Sequence, residues 1–324
     1  MEYIDKLKVT SSPHVRSGGT IKQIMRDVII ALIPATAVGV YFFGLYSLIV
    51  ILVCMSSCVF FEYIIRKILK RKNTIGDMSA ALTGLLLGMN LPPSVPLWIP
   101  VAGAFFAIVI IKQLFGGLGQ NFMNPALGSR AFLVASWPGI MLKFTNTYQP
   151  FRLDLTPPDA ISGATTLALL KDGNAADSFF NVFIGNTAGT IGEVSGIALI
   201  LGGIYLLARK VITWHVPVIY ITTVSALVFL FSGCDVGALT SAMYHIFAGG
   251  LLLGAIYMAT DYSTCPVTKK GQVIFALGCG VFTAIFRLFG ATAEGVSFAI
   301  LIMNLAVPLI DKAFKPKLFG EVKA

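Results

Sequence analysis

Apolar runs about one bilayer thickness long recur along the whole chain, separated by short polar turns. Each run is continuously apolar, where the strands of a membrane barrel would alternate lipid-facing and lumen-facing residues. A hydrocarbon core about 30 Å thick takes roughly 20 apolar residues per helix. The pattern predicts helical spans near residues 27–44, 46–65, 79–92, 97–113, 127–142, 191–208, 214–231, 238–258, 272–289 and 295–311. The third is short and stops at Leu91-Pro92-Pro93, so it reads as broken or re-entrant, and Pro34, Pro100 and Pro217 fall where they kink others. The expected fold class is therefore an all-α integral membrane protein with about ten transmembrane helices. Composition agrees. With 56% hydrophobic and 12% charged residues over 324 positions, and a mean hydropathy of +0.83, a water-soluble globule is excluded.

Charge orients this bundle, because Lys and Arg near short loops concentrate on the cytoplasmic side. With both termini inside, twenty cationic residues fall inside, among them Arg66, Lys67, Lys70, Arg71, Lys72, Lys112, Arg130, Arg209 and Lys210. Only Lys143, Arg152, Lys171 and Arg287 fall outside. An odd number of spans would scramble that asymmetry. The net charge of +9 is thus a matter of topology and not of nucleic-acid binding, since these charges cap hydrophobic helices. Residues 1–26 are expected to form a cytoplasmic segment without a cleavable signal peptide, so that the first helix directs insertion. The expected division is then 27–142 for a first five-helix half, 143–190 for an extracytoplasmic loop, 191–311 for a second half and 312–324 for a cytoplasmic tail. The setting is a cell's inner membrane.

One sequence echo bears on that division. Gly84-Leu-Leu-Leu-Gly88 in the third span recurs as Gly250-Leu-Leu-Leu-Gly254 in the eighth. If spans one to five and six to ten are repeats, the odd number in each requires the second copy to insert upside down, giving two inverted five-helix halves. Chance is the competing explanation, since Gly and Leu abound in membrane helices.

The five cysteines are scattered, and only Cys54 and Cys58 lie a helical turn apart. They read as small apolar residues, since an iron–sulfur or zinc site needs four converging ligands. A cluster shared with partner chains is the alternative.

The loop 143–190 holds most of the polar chain between helices, and its length points to function. Within it Asp159, Ser162, Gly163, Ala164 and Thr165 reproduce the Asp-x-x-Ser-Gly-Ala-Thr pattern of proteins that carry FMN esterified through its phosphate to threonine. Thr165 would be the attachment residue, and Thr166 is the neighbouring hydroxyl with which it could be confused. A threonine hydroxyl is a weak nucleophile, so a separate flavin transferase must grip the peptide and activate it. The small Gly163 and Ala164 leave room for that enzyme. An ordinary Ser/Thr turn is the plainer reading of the same residues.

As a whole the chain resembles the RnfD/NqrB family of membrane subunits of ion-translocating oxidoreductases, and RnfD more closely. The match runs through Ser12-Pro13-His14, Arg26-Asp-Val-Ile-Ile-Ala-Leu-Ile-Pro34 and Lys112-Gln-Leu-Phe-Gly-Gly-Leu-Gly-Gln-Asn121 with Asn124-Pro125-Ala126. It continues through the flavin loop, Gly192-Glu193-Val-Ser195, and Met258-Ala-Thr-Asp261 with Cys265-Pro266. The long N-terminal extension of quinone-reducing NqrB proteins is missing, which favours the Rnf type. The resemblance implies a relay subunit in a complex that couples electron transfer between reduced ferredoxin and NAD to Na⁺ or H⁺ movement. It further implies covalent FMN near the outer face and a noncovalent riboflavin among the helices. The implied partners are the other membrane subunits, a second covalent-FMN subunit, and iron–sulfur and NAD-binding subunits.

Other polar motifs carry two readings each. The stretch from Gly116 to Asn124, with Asn121, Asn124 and Arg130, suits a flavin or phosphate: glycines admit close approach, asparagines bond ring carbonyls and Arg130 offsets negative charge. It also suits a cytoplasmic turn with Arg130 as a topology anchor. Glu193 and Ser195 either cap the sixth helix or line the FMN pocket. Asp261 can bind a cation, pair with Lys269 or cap a turn, while Asp27 and Glu62 are acidic candidates at or near membrane depth. His14, His215 and His245 show no ligand spacing. A solute transporter or channel remains the rival function, because the urea-transporter fold has the same five-plus-five plan and fold alone does not decide function.

Overall fold

A computed structural model of the chain describes residues 20–144, 155, 163–171, 178–193, 195–231, 237–290 and 295–315. Among these residues all regular structure is helical: α1 (Ile21–Phe43), α2 (Leu45–Ile68), α3 (Ser79–Met89), α4 (Trp98–Gln113), α5 (Pro125–Ser136), α6 (Pro138–Met141), α7 (Thr166–Lys171), α8 (Phe179–Ile184), α9 (Gly196–Ala208), α10 (His215–Phe231), α11 (Ala238–Phe247), α12 (Leu251–Met258), α13 (Lys269–Phe289) and α14 (Val296–Ala313). Helix is present at each of the ten positions expected from the apolar runs. Four of these helices, α1, α2, α13 and α14, are long and apolar enough to cross a membrane by themselves, and the bent pair α11–α12 makes a fifth. Four more apolar helices, α3, α4, α9 and α10, run 10–17 residues among the described ones.

Local chemistry sets the boundaries. Thr20 opens α1 with a capping box, its hydroxyl accepting from Gln23 N while the Gln23 side chain accepts from Thr20 N. Asn124 caps α5 through Ala126 N and Leu127 N, with Pro125 in the first turn, where its missing N–H costs nothing. α3 ends where Leu91-Pro92-Pro93 forbids continuation. Two stretches, Phe106–Gln113 closing α4 and Gly254–Met258 closing α12, wind as π-helix. Between α11 and α12 the axis turns by 61° through Ala248-Gly249-Gly250, and Gly249 has the positive φ of 70° that this turn needs.

Small residues bring the helices together, since lipid offers them no hydrophobic drive to associate. At Gly84 a Cβ would stand 2.6 Å from Met55 Cα, so α3 lies directly on α2. Its echo behaves differently, because Gly250 abuts Glu193 and Gly254 abuts Val296 of α14. The two Gly-Leu-Leu-Leu-Gly copies thus have different packing partners. Helices distant in sequence meet as α1 on α9 and α5 on α14. The segment before α9 threads inward to the end of α3, where Ile191 N donates to Leu91 O (3.0 Å) and Gly192 N to Met89 O (2.7 Å). That threading carries Glu193 into the bundle.

Candidate functional site

Two cavities lie along one broken helix. Ala248 and Gly249, at the bend, line an open pocket of about 360 Å³ together with Thr165, Thr166, Leu167, Thr187 and Glu193. Tyr257, at the far end of α12, lines a second cleft of about 690 Å³ with Asp261, Lys112, Asn121, Asn124 and Ser79. Eight residues separate Gly249 from Tyr257, about 12 Å at a helical rise.

In the first pocket Thr165 precedes α7, and its Oγ1 accepts from Ala168 N at 3.3 Å. Its side chain is half-buried at the rim, whereas Thr166 is only 2% exposed. Gly163 N donates to Phe144 O (2.9 Å), tying this segment to the end of the first half, and Ala164 is exposed. Asp159 and Ser162 lie outside the described residues, as do Ser12, Pro13 and His14. Glu193 is buried. Its Oε1 stands 3.8 Å from Arg130 Nη2, and Arg130 Nη1 donates to Ser297 Oγ at 2.6 Å. The floor at Gly249 has no room for a side chain: a Cβ there would stand 2.8 Å from Leu167 Cδ1 and 3.2 Å from Arg287 Nη2. Arg287, buried at the end of α13, spans the bend by donating to His245 O and, at 3.3 Å, to Ala248 O.

Thr165 and Glu193 line one pocket, whereas Arg130 pairs with Glu193 and lines neither cavity. It is not a topology anchor, being buried against two other elements. Ser195 is the N-cap of α9, its Oγ accepting from Ala198 N at 3.3 Å, and it lines neither cavity.

In the cleft Asn121 is buried, and its Nδ2 donates to Ser263 Oγ at 3.4 Å while its Oδ1 has no hydrogen-bond partner among the described residues. Asn124 has its Oδ1 committed to the cap of α5 and its Nδ2 to Met258 O (3.4 Å). Asp261 follows α12, and Ser263 and Thr264 hydroxyls donate to its carboxylate at 2.9 and 3.3 Å. Desolvation pushes that carboxyl above its ordinary range, opposed by those hydrogen bonds and by Lys112 across the cleft. Of the other acidic candidates, Asp27 of α1 is held by Arg209 Nε and Nη2, both 3.2 Å from Oδ2, beside Tyr205. Glu62 is taken up by Lys112. The Lys112 pairing went unread because a lysine ending an apolar run looks like an anchor. No group of three or more His, Cys, Asp or Glu is arranged for a metal among the described residues.

A family model described as NQR2, RnfD, RnfE family matches residues 8–320. The chain belongs to this family. It is 47% identical to the D component of the Na(+)-translocating ferredoxin:NAD(+) oxidoreductase complex of Acetobacterium woodii, over 98% of this chain and 96% of that one. To the D component of the proton-translocating ferredoxin:NAD(+) oxidoreductase complex of Clostridium ljungdahlii it is 43% identical, over 96% of each. To the D component of the ion-translocating oxidoreductase complex of Stutzerimonas stutzeri it is 37% identical, over 93% of each. Family members that match nearly end to end thus carry either cation in their names.

Proposed function

We propose that the chain is a membrane flavoprotein subunit of an Rnf-type complex, relaying electrons between ferredoxin and NAD chemistry handled by partner subunits while the complex moves Na⁺ or H⁺. The near-full-length likeness to components of such complexes supports the assignment to the complex, and it leaves the solute-transporter reading without ground. The observation that supports the flavin is the half-buried Thr165 on a pocket that it lines together with Gly249 and Glu193. FMN linked there would supply reversible electron storage. Glu193 lines its cavity, Arg287 brings positive charge beside Gly249, and a flavin transferase would act on the segment Gly163–Thr165, where Ala164 is exposed.

The cleft at the other end of α12 fits a noncovalent riboflavin. Its walls combine apolar side chains such as Leu82, Leu86 and Val211 with convergent polar groups from Ser79, Lys112, Asn121 and Asp261, the mixture expected of a small-molecule site. Asn121 Oδ1, buried without a partner among the described residues, suits a ring N–H. In this reading the protein sits in the cytoplasmic membrane with both termini inside and the Thr165 loop outside. Its partners are the remaining Rnf subunits, including a second covalent-FMN subunit and the iron–sulfur and NAD-binding subunits.

The test is in-gel flavin fluorescence of denatured protein coexpressed with a flavin transferase, comparing the parent with Thr165→Val and Thr166→Val. Fluorescence in the parent and in Thr166→Val, lost in Thr165→Val, is expected. A dark parent band, with the transferase active on a control, overturns the covalent-flavin reading.

A further inference from the structure

Lys112 ends α4 in its π-helical stretch and is 1% exposed. Its Nζ donates to Glu62 Oε2 and to Ser79 Oγ, both at 2.7 Å. Glu62, 0% exposed, also accepts from Thr74 Oγ1 at 2.6 Å, and Arg66 Nε lies 3.8 Å from it. Ser79 Oγ passes its own proton to Asp77 Oδ1 at 2.6 Å. Thr74 and Asp77 sit in the turn between α2 and α3, next to the exposed Asn73. A hydrogen-bonded chain therefore leads from that surface turn to the wall of the cleft. Nothing about anchoring a helix requires it, since an anchor lysine holds its ammonium in the polar interface.

An ammonium has three N–H donors. Glu62 and Ser79 take two, which leaves one for whatever fills the cleft. Lys112 belongs to the cleft's inner end. The adjoining pocket, which Ile21 and Gly119 line and which shares Tyr262 and Asp261 with the cleft, does not include it. An occupant would displace water from that inner wall, so a proton reaching it there has to come from a side chain.

We propose that Lys112 is the proton donor to the redox ring of the cleft and that Glu62 reloads it from the surface through Thr74. The proposal rests on the reading of the cleft as a flavin site. Two electrons reach the ring through the electron transfer of the complex. One Nζ–H bond of Lys112 breaks as one N–H bond forms on the ring. The Glu62 carboxylate would then be a lone buried charge, which is strongly unfavourable. It is relieved when Thr74 passes its hydroxyl proton to the carboxylate in the same step as it accepts one from a hydronium ion at the surface, which is left as water, and Glu62 passes the proton it received to the amine. One proton crosses from surface to ring, and the ion pair ends as it began. The ionisable groups around Lys112 are Glu62, Arg66 and Cys58 of α2, Asp77 through Ser79, and Asp261 across the cleft.

The test uses the purified complex. Noncovalent flavin is extracted and quantified, and proton uptake during flavin reduction is followed with a pH indicator by stopped flow. Removing both charges together, in Glu62→Gln with Lys112→Met, avoids an unpaired buried ion. This double variant is expected to retain its flavin and to take up the proton about 100-fold more slowly, the usual scale for a lost general acid. Lys112→Ala is expected to be equally slow and to recover when methylammonium is added, because a small amine can occupy the space of the missing one. Flavin retained with proton uptake at the parent rate overturns the proposal. A slow Lys112→Ala that methylammonium does not restore also overturns it, because the lysine is then structural. A parent complex without noncovalent flavin overturns the cleft reading itself, and the proposal with it.

Discussion

Arg130 in the second turn of α5 faces Glu193, 3.8 Å away, with the two side chains 7% and 4% exposed, and it holds Ser297 of α14 at 2.6 Å. The segment after Thr165 is thereby fixed to both halves of the bundle. Gly250 lies against the same carboxylate, for a Cβ there would stand 2.7 Å from Oε1. Arg130→Met is predicted to cost about 3–5 kcal/mol, because it strands a buried charge. Arg130→Met with Glu193→Gln should recover most of that loss. Thermal unfolding of the purified protein measures both, and equal losses in the single and double variants would count against the pairing.

Gly202 of α9 sits where α9 crosses α1. A Cβ there would overlap Ala31 O and the Tyr257 hydroxyl, which itself donates to Leu199 O at 2.9 Å. Gly202→Ala is predicted to destabilise by about 1–3 kcal/mol through overpacking. Gly76 has nothing within 4 Å of its Cβ position, so Gly76→Ala should stay within about 0.5 kcal/mol of the parent. Comparable melting shifts in the two variants would contradict this account of the contact.

The helices were legible because the apolar runs are long, and several open on a polar cap, as Thr20, Asn124, Ser195 and Thr268 do. The neighbourhood of Thr165 and Glu193 was partly legible too, since Glu193 opens the span that directly follows the loop carrying Thr165. What could not be read was pairing across distance. Lys112 meets Glu62 from 50 positions away and Arg130 meets Ser297 from 167, and no periodicity encodes such partners. The π-helical stretches escaped for another reason: one extra residue per turn leaves an all-apolar pattern unchanged. The charge asymmetry also treated Arg130 and Lys112 as anchors, because counting cations by loop ignores which ones fold inward.

Asp261 gives a pH signature with a definite sign. Burial raises its carboxyl above the ordinary 3.8, so the folded state binds this proton more tightly than the unfolded one. Stability from this group is then greatest below 3.8 and is lost as pH rises through the window between 3.8 and the raised folded value. Asp261→Asn carries no such dependence. The melting temperature of the variant relative to the parent should therefore climb across that window and level off above it. A difference that falls with rising pH would show the carboxylate to be net stabilised where it sits.

Arg287 governs the bend between the two cavities. By donating to His245 O and Ala248 O it satisfies carbonyls that the break in the helix leaves without partners. Arg287→Met removes both donors and is predicted to cost about 1–3 kcal/mol for each orphaned carbonyl. Arg287→Lys keeps the charge but not the planar fork, so it should recover only part of the loss. Because Ala248 and Gly249 floor the Thr165 pocket, relaxing the bend should also alter that pocket while leaving the Asn121 cleft intact. Limited proteolysis and thermal unfolding report the first effect, and flavin fluorescence at Thr165 beside extracted noncovalent flavin reports the second. If Arg287→Met lowers both flavins equally, the bend is not a local hinge of the Thr165 pocket but a support of the whole bundle.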